Sequence, residues 1–327
     1  MAGRLQNVEL LRVVCMVFIL IFHINLNVIL RNDNTSDFLN YIALFLNSIV
    51  VVAVNCYVLI SGYFGINTKL KSIGKLLFQT EFYAILAIII GSIFAGFSKG
   101  YITTLFPFRP SGLWFIPCYM TLYVLSPILN QIIKKPRLHI CSVLSLLIVS
   151  FSMYFGGYSG LSVLQLVLMY LIGAYIRENA VIHRNKEIII AIIGVFVTFT
   201  LSMLWVRNGH PYSDKSVISY ASPWVLLTSI AFFKLFLSFP DTKYGIITTL
   251  SLSSLSVYLF HENEIVKDII YIKPLRYLES FVHSDLLFVI LLMLYAVLIY
   301  IIVVFIDKIR ISWQSYFIKS LEKYKFL

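Results

Sequence analysis

The chain has 327 residues, of which 60% are hydrophobic, 16% aromatic and only 13% charged, with a formal net charge of +11. A water-soluble domain of this length needs far more charge on its surface, so the composition excludes that class and points to a polytopic membrane protein. In such a chain the excess of Lys and Arg reports on loop orientation, not on nucleic acid.

Ten apolar segments are long enough, or nearly so, to cross a bilayer: about 8–30, 39–64, 76–97, 114–133, 140–155, 161–177, 188–206, 217–238, 246–265 and 285–306. The expected fold is all-α, with about ten transmembrane helices. The first segment has a basic start and an apolar run, but no clear small-x-small cleavage site, and His23 interrupts it. It reads as an uncleaved first span. The fifth and sixth segments are short and separated by "GGYSG", a tight turn. The ninth opens on the polar run "TTLSLSSLS".

With the N-terminus inside, 18 basic residues fall on the cytoplasmic side: Arg4, Arg12, Lys69, Lys71, Lys75, Lys134, Lys135, Arg137, Arg177, Arg184, Lys186, Lys234, Lys243, Lys308, Arg310, Lys319, Lys323 and Lys325. Arg31, Lys99, Arg109, Arg207, Lys215, Lys267, Lys273 and Arg276, 8 in all, fall outside. The split favours both termini in the cytoplasm of a multi-pass inner (plasma) membrane protein. No internal repeat or soluble linker divides the chain. Residues 1–327 read as one membrane-embedded domain, in which 307–327 form a basic amphipathic cytoplasmic tail.

Ionisable residues inside spans are costly and therefore informative. The first segment, "VELLRVVCMVFILIFH", carries Glu9 and Arg12 near one end and His23 at the other. Eleven residues at about 100° each bring Arg12 and His23 within about 20° of one face, roughly 16 Å apart along the axis. This suits a long anionic ligand held at one end and reacting at the other. It also suits an arginine snorkelling to the headgroups and a histidine satisfied within the bundle. His261, with Tyr258 three residues before it, is the second such position. Helix–helix packing accounts for Asn55, Ser61 and Glu81 better than a catalytic role does for any one of them alone. An aromatic belt accounts for Trp114, Tyr119 and Tyr123. Cys15, Cys56, Cys118 and Cys141 show neither CxxC nor metal-ligand spacing and read as packing residues. No metal-ligand spacing appears, and no P-loop, GxSxG or GxGxxG stands in a strand–turn–helix context.

Five stretches, in order, together resemble the acyltransferase-3 family of integral-membrane O-acyltransferases, of the surface-polysaccharide O-acetyltransferase type. They are "ELLRVVCMVFILIFH" with its Arg-x10-His pattern, "VLISGYF" (58–64), "LWFIPCYMTLYVLSPILN" (113–130), "YLIGAYIRE" (170–178) and "SVYLFH" (256–261). The resemblance implies transfer of an acyl group, most often acetyl from acetyl-CoA, to a hydroxyl of a cell-surface carbohydrate or its lipid-linked precursor. It makes His23 and Arg12 the catalytic pair. Acetyl-CoA is then a co-substrate, and no bound cofactor is expected. The partners are acyl-CoA, a carbohydrate acceptor and the bilayer, with no nucleic acid.

The family's Arg-x-x-Arg after the second span is replaced here by "NTKLKSIGKLLFQTEFY", in which Lys71 and Lys75 are the nearest basic pair. Lysine neutralises a phosphate as a point charge but lacks the bidentate fork. His23 is the expected general base. Arg12, Lys71 and Lys75 are the expected contacts to CoA phosphates. Tyr258, His261, Trp114 and Ser61 are candidates for acceptor binding or oxyanion stabilisation. Direct transfer is the leading mechanism, ahead of a transient acyl-enzyme on Ser61. A transporter or flippase of a lipid-linked sugar is the alternative reading.

Overall fold

The structure is a computed structural model that describes residues 5–106, 113–179, 181–212, 218–242 and 244–323. Arg4, Arg109, Lys215, Lys243 and Lys325, counted above for orientation, lie outside the described residues, as does Val217 at the start of the eighth predicted span.

The described residues form helices and contain no strand. In chain order the α-helices are α1 (Gln6–Ile24), α2 (Asp37–Val50), α3 (Ala53–Phe64), α4 (Leu70–Ala95), α5 (Phe115–Ile133), α6 (Pro136–Phe155) and α7 (Val163–Asn179). They continue with α8 (Arg184–Arg207), α9 (Pro223–Leu237), α10 (Gly245–Leu252), α11 (Ser254–His261), α12 (Lys273–Glu279) and α13 (Asp285–Lys323). Single π-helical turns follow α1 at Asn25–Ile29 and precede α12 at Asp268–Ile272.

Helix therefore occupies each of the ten predicted segments. Among the described residues, seven helical stretches are long and apolar enough to span a bilayer, including Gln6–Ile29, Asp37–Phe64 and Asp285–Ser320. Pro223–Leu237 and Gly245–His261 are shorter apolar stretches. The protein is an all-α polytopic membrane protein.

Local chemistry sets several boundaries. The Ser36 hydroxyl caps α2 by accepting from the Leu39 amide at 3.1 Å. Pro136 and Pro223 open α6 and α9, where the missing N–H is not needed. Gly65 ends α3 at φ 74°, a conformation costly for any residue with a Cβ. Two predicted spans are interrupted. The second breaks at Val51–Val52, and the ninth breaks at Ser253 between α10 and α11. The last span and the predicted tail are one helix as far as Lys323, and Asp307, Arg310, Gln314 and Ile318 on it are buried.

The chain divides into two compact units: residues 1–66 with 121–251, and 67–120 with 252–327. In the first, α3 packs along α7, and α8 along α9. A Cβ on Gly62 would fall inside the Tyr170 carbonyl oxygen, and one on Gly173 inside the Leu59 carbonyl oxygen. The two backbones approach this closely only because both residues are glycine, the small-residue packing expected where lipid gives no hydrophobic drive to associate. Glu187 of α8, buried, is ion-paired to Lys234 of α9. In the second unit α4, α11 and α13 pack on one another around Tyr83, Tyr271 and Phe288, all fully buried.

Candidate active site

In the first unit, His23 lies in the last turn of α1 and is partly buried. It lines a small cavity of about 10 Å³ with Ile19, Phe22, Val50, Val51, Ala53, Val54 and Tyr220, room for about one water. Phe22 meets the imidazole edge-on, ring centroids 5.9 Å apart. Two departures from regular helix border this position. The π turn begins two residues after His23, and within it the Asn27 side chain donates from Nδ2 to the His23 carbonyl at 2.8 Å. Opposite, the ladder of the neighbouring helix lapses at Val51–Val52, and Val50, Val51, Ala53 and Val54 around the lapse form part of the cavity wall. Such irregularities in a membrane helix are tolerated chiefly where the backbone is buried in protein or lines a cavity.

Arg12 sits on the same continuous helix, three turns nearer the N-terminus. Its Nη1 donates to Glu9 Oε1 at 2.7 Å. Glu9 is 3% exposed, and its second carboxylate oxygen accepts from the Ser251 hydroxyl of α10. The Tyr57 hydroxyl donates to the Arg12 carbonyl. Glu9 therefore orients Arg12 from one side, while the arginine side chain keeps 31% of its exposure. The sequence places Glu9 and Arg12 three apart on a helix, but the contact with Ser251, 242 residues away, has no local signal.

The motif residues 58–66, 130 and 170–178 are joined by hydrogen bonds into a brace. The Tyr170 hydroxyl accepts from the Ile66 amide at 3.0 Å and donates to Asn130 Oδ1 at 2.7 Å. Asn130 Nδ2 returns to the Ile66 carbonyl at 3.0 Å. Arg177 Nη1 donates to the Tyr63 carbonyl at 3.3 Å. Ser61 donates to the Tyr57 carbonyl one turn back at 3.1 Å and is not among the residues walling the His23 cavity.

In the second unit the structure brings the "LWFIPCYM" and "SVYLFH" stretches together. Trp114 meets Phe115 edge-on at 5.9 Å, Phe115 stacks on Tyr119 at 5.4 Å, and Phe115 meets Tyr258 at 6.0 Å. Tyr258 in turn meets His261 at 6.1 Å. Tyr258 is 5% exposed and His261 is fully buried. His261 Nδ1 lies 2.6 Å from the Val257 carbonyl oxygen. A carbonyl only accepts, so Nδ1 carries a proton, and in the neutral ring Nε2 is the basic atom. Lys71 and Lys75 are exposed in the first turns of α4, and the Lys75 carbonyl accepts from Gln314 Nε2 at 2.6 Å.

A family model described as an acyltransferase domain matches residues 5–307. No curated protein and no solved structure matches the chain.

Proposed function

The chain belongs to the acyltransferase-3 family, and from that premise we propose that it moves an acetyl group from acetyl-CoA to a hydroxyl of a cell-surface carbohydrate or its lipid-linked precursor. The family match over residues 5–307 carries the acyl-transfer part of this reading. The site geometry supports His23 as the base. An imidazole titrates near neutral pH, and this one stands at a cavity beside two irregular helix segments.

In the proposed reaction His23 takes the proton of the acceptor hydroxyl as its oxygen attacks the thioester carbonyl carbon. The C–S bond of the tetrahedral intermediate then breaks, and the proton passes to the departing CoA thiolate. No covalent nucleophile is required, in keeping with the Ser61 hydroxyl being turned to its own helix. Arg12, oriented by Glu9, is assigned to a phosphate of acetyl-CoA. With Nη1 engaged by Glu9, its remaining N–H groups supply the donors. In the second unit Lys71 and Lys75 are assigned to anionic groups of the donor. Tyr258 and His261 are assigned to the acceptor or the oxyanion, with Trp114 as an aromatic neighbour through Phe115.

We assign the protein to the inner membrane with both termini cytoplasmic; the distribution of basic residues supports the orientation. Intact-glycan mass spectrometry of cells with and without the chain tests the reading. Loss of acetyl groups from one envelope glycan on deletion, restored by the parent chain but not by His23→Ala, is the expected result. An unchanged glycan acetylation pattern contradicts it.

A further inference from the structure

The second unit holds a buried carboxylate that the reaction does not use. Asp307 of α13 is 0% exposed. Arg310 grips it with a fork, Nε to Oδ1 at 2.8 Å and Nη2 to Oδ2 at 2.7 Å. Oδ1 also accepts from the Tyr83 hydroxyl of α4 at 3.0 Å and from the Ser256 hydroxyl of α11. The network closes on itself. Gln79 of α4 donates to Ser256 Oγ at 2.7 Å, Arg310 Nη1 donates to Gln314 Oε1 at 2.7 Å, and Gln314 donates to the Lys75 carbonyl. Two turns earlier on α13, the Tyr300 and Ser254 hydroxyls pair at 3.0 Å.

A buried ion pair is a poor device for stability alone, because apolar packing of the same volume does as well or better. Its best-attested use is to fix register. The element in need of register here is α11. It has eight residues, follows an interruption at Ser253, and is far shorter than a helix that holds itself. Ser256 is two residues before Tyr258 and five before His261. A slip of one residue on α11 would turn both side chains by about 100°.

We propose that Asp307, held by Arg310 and acting through Ser256, is a positioning residue that sets the register of α11 and thereby the presentation of Tyr258 and His261 to the acyl-transfer reaction. This rests on the reading of the chain as an acyltransferase. Without Asp307 and Ser256, α11 is fastened to α13 by a single neutral hydroxyl pair, Ser254–Tyr300, and by apolar packing, a weaker hold than one made to a carboxylate.

The test uses the purified full chain. Ser256→Ala leaves the Asp307–Arg310 pair intact but strands the Gln79 side-chain amide, so it folds and melts a few degrees below the parent. Its kcat for acetyl transfer falls about 10- to 100-fold, the scale of a small misplacement, while acetyl-CoA binds as in the parent. Ser256→Thr, which keeps the hydroxyl, recovers most of the rate. Amide exchange rises selectively over residues 254–261 in Ser256→Ala and not over α4 or α13. Parent-like kcat and parent-like exchange in Ser256→Ala overturn the inference. So does a loss of rate accompanied by equal losses of melting temperature and acetyl-CoA binding, because a merely structural bond gives that pattern. Absence of acetyl transfer by the parent protein itself overturns the acyltransferase reading and this inference with it, and is told apart because it appears before any variant is made.

Discussion

Replacing Arg12 by Lys separates a phosphate-reading arginine from a membrane anchor. The change keeps a positive charge for the buried Glu9 carboxylate, so it leaves no uncompensated charge inside the bundle. What it removes is the planar fork. In the structure one guanidinium nitrogen is already committed to Glu9 at 2.7 Å. A lysine ammonium that satisfies Glu9 has no second fixed donor to offer a phosphate. A hydrogen bond to a charged group contributes about 1.5–3 kcal/mol. Arg12 remains 31% exposed, so solvent screening puts the effect at the low end of that range. At about 1.4 kcal/mol per tenfold, acetyl-CoA affinity should weaken by roughly 10- to 30-fold, with kcat changed less than about threefold. Equilibrium binding of labelled acetyl-CoA to the purified protein measures it. A dephospho analogue gives the cross-check, since the penalty should vanish once the phosphate that Arg12 reads is gone. If Arg12→Lys binds acetyl-CoA as the parent does, Arg12 is an anchor fastened to Glu9, and the phosphate role passes to Lys71 and Lys75.

Gly62→Ala forces a methyl group into the Tyr170 backbone, which cannot swing aside as a side chain would. An overpacking cost of about 1–3 kcal/mol should lower the melting temperature by roughly 5 °C in detergent, read by a thermal-shift assay. Tyr170→Phe removes the hydroxyl that joins Ile66 and Asn130 and strands their buried partners. With the Ile66 N–H buried and Asn130 half-buried, it should cost about 1–2 kcal/mol, seen as a similar fall in melting temperature with His23-dependent chemistry otherwise intact. Reporter fusions should place Leu327 in the cytoplasm, and a periplasmic signal there would reverse the orientation drawn from the basic residues.

The apolar segments were legible because lipid imposes one length and one pattern on every span, and helix appears at each of the ten. The relation between Arg12 and His23 was legible for the same reason: 3.6-residue periodicity carries along one unbroken helix. The break at Val51–Val52 had no signal, since two β-branched residues inside "SIVVVAVN" carry neither Gly nor Pro to mark it. The π turn after His23 was equally silent. The break at Ser253 was foreshadowed only by the serine-rich start of the ninth segment. Of the candidate site residues, Ser61 bonds to the Tyr57 carbonyl of its own helix, a local i, i−4 contact that periodicity allows. The aromatic row from Trp114 to His261 joins residues far apart in the chain, a pairing that periodicity cannot supply. The pairing of Asp307 with Arg310 was hidden because both stand at the start of the expected tail, where charges are ordinarily solvated. Opposite charges three apart, within a helix that the apolar pattern carries past them, were the available clue.

Acetyl transfer by the purified protein, measured side by side for the parent and His23→Ala with labelled acetyl-CoA and an envelope glycan, tests the central claim most directly. Label should move to the glycan with the parent. His23→Ala should lose at least about 100-fold of that rate while still binding acetyl-CoA and melting near the parent temperature, as for removal of a general base. Transfer by His23→Ala at a rate near the parent's would contradict the account and return His23 to an ordinary place in the bundle.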